Sequence, residues 1–301
     1  MIEELFAGKN GFIWFQGVVE NRQDPLLLGR VQVRCLGFHT ENKNELPTED
    51  LPWAFPIQPI TSAAMSGVGQ TPLGPVEGTW VFGFFRDGET AQEPMVIGTL
   101  GGIPQEKGKG GFYDPSGKYP LEDYIGEPDT NKMARGVEEK TIVEKKKSEL
   151  DEMTKAGGIG GGDTIKEPET AYKAQYPYNH VSQSESGHVQ EVDDTPGAER
   201  LHRYHKSGSF EEIHPDGKRV LKIVGDNYTA IFKDNNLHVK GEMNVTIESD
   251  ASIFVKGDCA LEVEGDMEQV VGGDLTINSG GSLKMTASET IIINGDVIRL
   301  N

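Results

Sequence analysis

Only two cysteines, Cys35 and Cys259, occur in the 301 residues. They lie far apart and form no CxxC pair, which excludes a disulfide framework and a paired-thiol metal site. Both fall at inward positions of strand-like patterns and are expected to be buried free thiols. Long apolar runs are missing as well. None approaches the roughly 18 residues that a spanning helix needs, and no signal-peptide pattern is present. The expectation is a protein made and folded in a cytoplasm, without an anchor in any membrane it meets. Apolar residues amount to only 36 % of the chain, so a core must be economical or shared between chains. Positive charge is also short, with 29 basic against 48 acidic residues and a net charge of −19. Such a surface repels nucleic-acid phosphates and anionic lipid. No nucleic-acid partner is expected, and the acidity serves solubility.

What the chain has in quantity is glycine, 38 residues, together with 16 prolines. That composition suits short strands and turns better than packed helices. Five β-branched or aromatic runs, at 12–20, 29–36, 53–58, 76–85 and 94–100, are each bounded by Gly, Pro, Asn or Asp. In the second run Val31, Val33 and Cys35 share one face, and Gln32 and Arg34 the other. Five strands in under 100 residues predict a small closed barrel of the oligonucleotide/oligosaccharide-binding (OB) type over 1–103. A working single-strand binder needs a basic groove with stacking aromatics. Arg22, Arg30, Arg34 and Lys43 are too few for one, so docking to a protein is the expected use.

Residues 104–171 carry GKGG, DPSGKYP, a lysine-rich charged stretch and GGIGGGD. They read as a linker with one short exposed helix. GGIGGG has neither a preceding strand nor a following Lys-Ser or Lys-Thr, so it reads as a hinge and not a phosphate loop. From 172 to 216 strand signals resume, with turns at TPGAE, HKSGS and HPDGK; the last is an Asp-Gly hairpin signal. His202 and His205 have a spacing that can bind zinc on a helix, but their surroundings read as strand and no third ligand is near. Ser186, His188 and Asp193 lack a nucleophile-elbow sequence. No catalytic, cofactor-binding or metal-ligating set is expected.

The strongest pattern fills 217–301. Glycine recurs at Gly225, Gly241, Gly257, Gly265, Gly273 and Gly281, all spaced by multiples of eight. Gly217 lies one step earlier, and Lys233 and Ser249 fill the skipped slots. The next residue is acidic in seven of eight octads. Positions two, four and six after each slot are apolar in 19 of 24 cases, and the positions between them in only 6 of 24. This is strand alternation held in phase over eight repeats. Each octad predicts one short strand closed by a corner, with glycine supplying the backbone angle and the carboxylate solvating the edge. Such a strand buries its apolar face only against other strands. A lone solenoid and an intertwined trimer both satisfy that need. Medium-sized aliphatics in the inward slots, and the absence of the nine-residue GGxGxD roll pattern, favour a homotrimeric triple-stranded β-helix, a β-prism. Register is expected to fail after Ala287.

At this point the sequence resembles the central spike proteins of T-even-type phage baseplates, and more distantly the VgrG proteins of type VI secretion. The resemblance rests on GVVENRQDPLLLGRVQVRCLGFH, LPWAFPIQPITSAAMSGVG, GPVEGTWVFGFF and VIGTLGG, on KEPETAYKAQYPYNHVSQSESGHVQEVDDTPGAERLHRYHKSGSFEEIHPDGKR, and on the octads. It implies an all-β chain acting as a trimeric, cell-puncturing shaft at the centre of a contractile tail, in the virion, reaching the host periplasm through the outer membrane. The alternative is a type VI or bacteriocin tip; a receptor-binding fibre would need a C-terminal ligand head, and none is expected. The resemblance also implies a trimeric hub partner for the barrel and a PAAR-type tip protein at the shaft end. The iron-binding His-x-His of some spike tips has no counterpart, since no histidine follows His238. A lysozyme domain of the T-even protein falls where this chain has only about 65 residues, too few for two placed carboxylates in a glycan-binding fold. No enzymatic activity and no cofactor are expected.

Overall fold

A computed structural model describes residues 11–64, 68–101 and 127–299. The chain divides into two units, one of Met1–Ser148 with Thr170–Asn227, the other of Glu149–Glu169 with Tyr228–Asn301.

The first unit opens with the predicted barrel. Strands β1 (Ile13–Asn21), β2 (Val31–Cys35), β3 (Trp53–Pro56), β4 (Trp80–Phe85) and β5 (Pro94–Thr99) close in the order β1-β2-β3-β5-β4. Phe15, Val19, Val31, Val33, Cys35, Ala54, Val81, Phe85 and Val96 fill it. Alternation selects these residues, because every second side chain of a strand faces inward. Gly17 lies against Val33 and the Arg34 carbonyl, and a Cβ there would come within 2.5 Å of Val33. The opposite face of β2 is buried too. Arg34 is fully enclosed and forms a two-pronged pair with Glu20, at 2.6 and 3.0 Å. The Arg34 guanidinium also donates to the Thr40 and Leu46 carbonyls.

Residues 127–148 depart from the predicted linker. They form α1 (Asp129–Ala134) and α2 (Ile142–Ser148), and Met133 and Val143 are buried. The charged letters hide two apolar anchors, which pack with Tyr172, Ala174, Val189, Tyr204, Phe210 and Val220. The part of the linker at 104–126 lies outside the described residues. A meander of β8 (Asn179–Gln183), β9 (Val189–Asp193), β10 (Arg200–Tyr204), β11 (Phe210–Ile213) and β12 (Arg219–Lys222) provides the sheet for those anchors. The expected turns are its hairpin ends, with Gly208 and Gly217 in the left-handed region at φ +99 and +82. Strand β12 falls within the predicted 217–301 shaft. It pairs with β11, Ile213 opposite Arg219, so the first octad after Gly217 belongs to this sheet.

In the second unit β6 (Glu152–Thr154) and β7 (Thr164–Lys166) pair antiparallel. GGIGGG is the tip of that hairpin, not a hinge: Lys155 N donates to Asp163 O and Gly162 N to Lys155 O. From 223, still in the first unit, to 299 in the second, the chain bends at 224–225, 232–233, 240–241, 248–249, 256–257, 264–265, 272–273 and 280–281, with extended segments between. The octad is therefore a geometric period as well as a sequence period. It continues through bends at 288–289 and 296, so the backbone keeps step beyond Ala287. No ladder joins these segments among the described residues. Every residue from 223 to 299 is exposed.

Candidate functional site

The octad glycines sit at the bends, yet Gly225, Gly241, Gly257, Gly265, Gly273 and Gly281 are not in the left-handed region. The expectation that the corner needs a glycine backbone angle is corrected on that point. Lys233 and Ser249 occupy equivalent bends, as they could not easily do at left-handed corners. A Cβ at any of these six glycines would meet nothing within 4 Å. Between the bends the apolar row lies open: Ile253 is 92 % exposed, and Leu261, Leu275 and Leu283 are exposed as well. Cys259 is also exposed, against the expectation of burial, while Cys35 is enclosed and its thiol is pushed up to about 12 by burial. A contiguous apolar surface of this length is far beyond what a soluble single chain leaves in water.

The barrel has its own exposed apolar groups. In the β1–β2 loop Leu26, Leu27 and Leu28 face solvent. Asp24 accepts from the backbone N–H of Leu26 (2.9 Å), Leu28 (2.9 Å) and Arg30 (3.2 Å), and from the Arg30 guanidinium at 2.6 Å. The Arg30 hydrogen bond holds the Asp24 carboxyl well below the usual range. Leu27 adopts φ +57, so the leucine tip is held, not loose. Phe12 and Trp14 are also half exposed, with Trp14 stacked on Phe82 at 5.3 Å. The four basic residues that a nucleic-acid groove would have needed are all committed to carboxylates. Arg22 pairs with Glu185, Arg30 with Asp24, and Arg34 with Glu20; Lys43 lies 3.6 Å from Glu20.

The residues that periodicity did not single out lie inside the meander. Its buried face carries Glu191, Arg200, His202 and Glu212, while Val192, Leu201 and Leu221 point outward. Arg200 bridges both carboxylates, at 2.6 Å to Glu191 and 3.1 Å to Glu212. Lys146, reaching in from α2, donates to Glu212 (2.6 Å) and contacts His202 Nε2 at 3.1 Å. That leaves His202 Nδ1 to donate to Glu191 at 2.7 Å. Asn179 donates to Glu191 and Thr170 to Glu212. Burial by itself would raise both carboxyls. The His202 hydrogen bond and the Arg200 charge outweigh it at Glu191, and the Lys146 charge outweighs it at Glu212, so each falls to about 2. Burial lowers Lys146 and His202. Two carboxylates held ionised out of solvent are a brace, not an acid–base pair, which needs one carboxyl raised and within reach of a substrate. The signal was present in the sequence as Glu191 with Asp193 in HVQEVD, and Arg200 with His202 in ERLHRYH, at alternate places beside Val189 and Tyr204, a period-two face of mixed polarity.

The remaining histidines and serine with catalytic or zinc-like spacing come apart in the structure. His205 lies in the β10–β11 turn against Ser207 and His188, away from the buried His202. His188 sits at the opposite end of β9 from Asp193, whose carboxylate accepts from Thr195, and Ser186 faces Ser184. Among the described residues no cluster of His, Cys, Asp or Glu could hold a metal ion.

Comparison with known proteins bears on this geometry. The family model described as the Gp5 N-terminal OB domain matches residues 37–197, from just past β2 to just past β9. Protein Gp5 of Vibrio phage KVP40 is 46 % identical over 268 residues, covering 79 % of this chain and 63 % of that protein. The pre-baseplate central spike protein Gp5 of Enterobacteria phage T4 is 50 % identical over 136 residues, 43 % of this chain and 23 % of that protein. The chain thus spans less than two thirds of either relative. With more than half its length inside the family model and about half its aligned residues shared with both phage proteins, it belongs to the Gp5 family.

Proposed function

We propose that this chain is the puncturing spike at the centre of a contractile phage baseplate, a homotrimer that works mechanically and not as an enzyme. The open apolar row from 227 to 287 carries the reading. Its side chains repeat on one face every second residue, with acidic residues beside the corners, and they are exposed in a single chain. Three chains wound in parallel about one axis would bury all three rows and leave the acidic corners in water, a triple-stranded β-helix without free edges. Such a shaft is stiff and slow to unfold, as penetration of an outer membrane requires.

The outward Val192, Leu201 and Leu221 of the meander offer a second apolar strip for the same association. The barrel docks the spike to a trimeric hub, and its held leucine tip and Phe12–Trp14 edge are the surfaces suited to that contact. A PAAR-type protein caps the far end. The shaft is 217–301, less the β12 strand that the meander takes. On this reading wall digestion falls to another protein; the paired carboxylates of the meander, Glu191 and Glu212, are enclosed and held by Arg200 and Lys146.

The experiment is the solution mass of the purified full chain by light scattering, with a peptidoglycan zymogram beside it. A mass near three times 32.9 kDa and a blank zymogram are expected. A folded monomer, or a cleared zone, overturns the reading.

A further inference from the structure

The octads pose a problem of register. Because the pattern repeats every eight residues and the backbone bends with it, a chain displaced by one octad still lays apolar side chains against apolar side chains. Every inward slot from Leu237 to Met267 is apolar, so this stretch by itself distinguishes one alignment from another only through small differences in side-chain volume.

The exceptions are five inward slots, Asn227, Thr229, Asn235, Gln269 and Ser279. Each is neutral, and each carries both a hydrogen-bond donor and an acceptor. None of the 24 inward slots is charged, in a chain that is 26 % charged. A side chain with both functions can close a head-to-tail ring of three about a threefold axis, each copy donating to the next. A carboxylate or an ammonium, acceptor-only or donor-only, cannot. Displacing one chain by eight brings Asn235 to the level of Asn227, a partial match at the base, while Thr229 then meets Leu237, and Ser279 meets Val271 or Ala287, each at the loss of one hydroxyl partner. Gln269 has no such substitute: eight places away lie Leu261 and Ile277.

Resting on the trimeric reading above, we infer that Gln269 fixes the axial register of the three chains, its amides closing a ring that only the unslipped alignment completes. The surface is the apolar row, and the partner is two further copies of this chain. A slipped alignment leaves amides enclosed by aliphatic side chains without partners, the same device by which a single buried amide sets the alignment of a coiled coil.

The test uses the full chain carrying Cys259→Ala and Glu268→Cys, with a nitroxide label at position 268. Cys35 is enclosed, with its thiol pushed up to about 12, and does not take the label. Interchain distances are measured by pulsed electron resonance, and mass by light scattering, with and without Gln269→Leu. The expected result is a trimer in both, with one interchain distance for the parent. The leucine variant adds longer distances from slipped chains, whose population rises by about tenfold or more. A leucine variant that keeps the single distance overturns the register role. So does one that fails to associate, since an added apolar layer should hold the trimer. A parent chain that is monomeric instead overturns the trimeric reading itself.

Discussion

At the scale of single residues, four enclosed charges of the meander and α2 balance one another: Glu191 and Glu212 against Arg200 and Lys146, with His202 bridging Glu191 and Lys146. Their titration has a definite sign. Both carboxyls ionise near 2 when folded, against an ordinary 4.5, so the unfolded chain takes up protons first as the pH drops. Their contribution is complete above about pH 4.5 and is lost as the pH falls towards 2. His202, held below 6.5 by burial, adds a loss of the same sign that starts near pH 6.5. At about 1.4 kcal/mol for each pH unit between the folded and unfolded values, each carboxyl contributes about 3 kcal/mol. The first unit should therefore melt at a clearly lower temperature at pH 3 than at pH 7 by calorimetry. Equal melting temperatures would mean that the two carboxyls are not held ionised.

At the scale of elements, α1 and α2 are too short to be stable alone, since isolated helices need some 12–15 residues even in favourable sequences. Packing holds them. Met133 is nearly fully enclosed in the meander core, and its carbonyl accepts from Tyr172 Oη at 2.7 Å and from Asn179 at 3.1 Å. Lys146 ties α2 to the same sheet through Glu212. Met133→Ala should cost about 2–5 kcal/mol. Hydrogen exchange should show the loss at 127–148 and in β8, with the barrel strands unchanged. An effect spread evenly over the barrel would contradict the placement of this side chain in the meander core alone.

At the scale of the whole molecule, the open row of the octads decides the behaviour. Ile253 stands in the middle of the uninterrupted apolar slots and is 92 % exposed. On the proposed axis, Ile253→Asp places three unpaired carboxylates together, at a cost of several kcal/mol per chain. Sedimentation should then report monomer, while circular dichroism still reports the folded barrel and meander. A trimer that survives the substitution would put Ile253 outside the shared core.

Much of this was legible in the sequence because it depends on local chemistry. The period of two in 31–35 foretold which side of β2 fills the barrel, Asp-Gly at 216–217 foretold a hairpin turn at φ +82, and the period of eight foretold a bend every eight residues. What remained hidden depended on groups far apart in the chain. Periodicity places an apolar face inward. The meander instead turns Glu191 and His202 in and Val192 and Leu201 out, because Lys146 and Thr170, distant in sequence, bring it the partners that make enclosed charge tolerable. The same cause made 127–148 look like a linker, since two anchors among many charges count for little until a sheet lies beneath them. Sequence alone thus determined the barrel strands, the turns of the meander and the octad bends, each settled by neighbours within a few residues. Only the tertiary structure decided which faces are inside, because burial of a charge depends on a partner that spacing along the chain does not reveal.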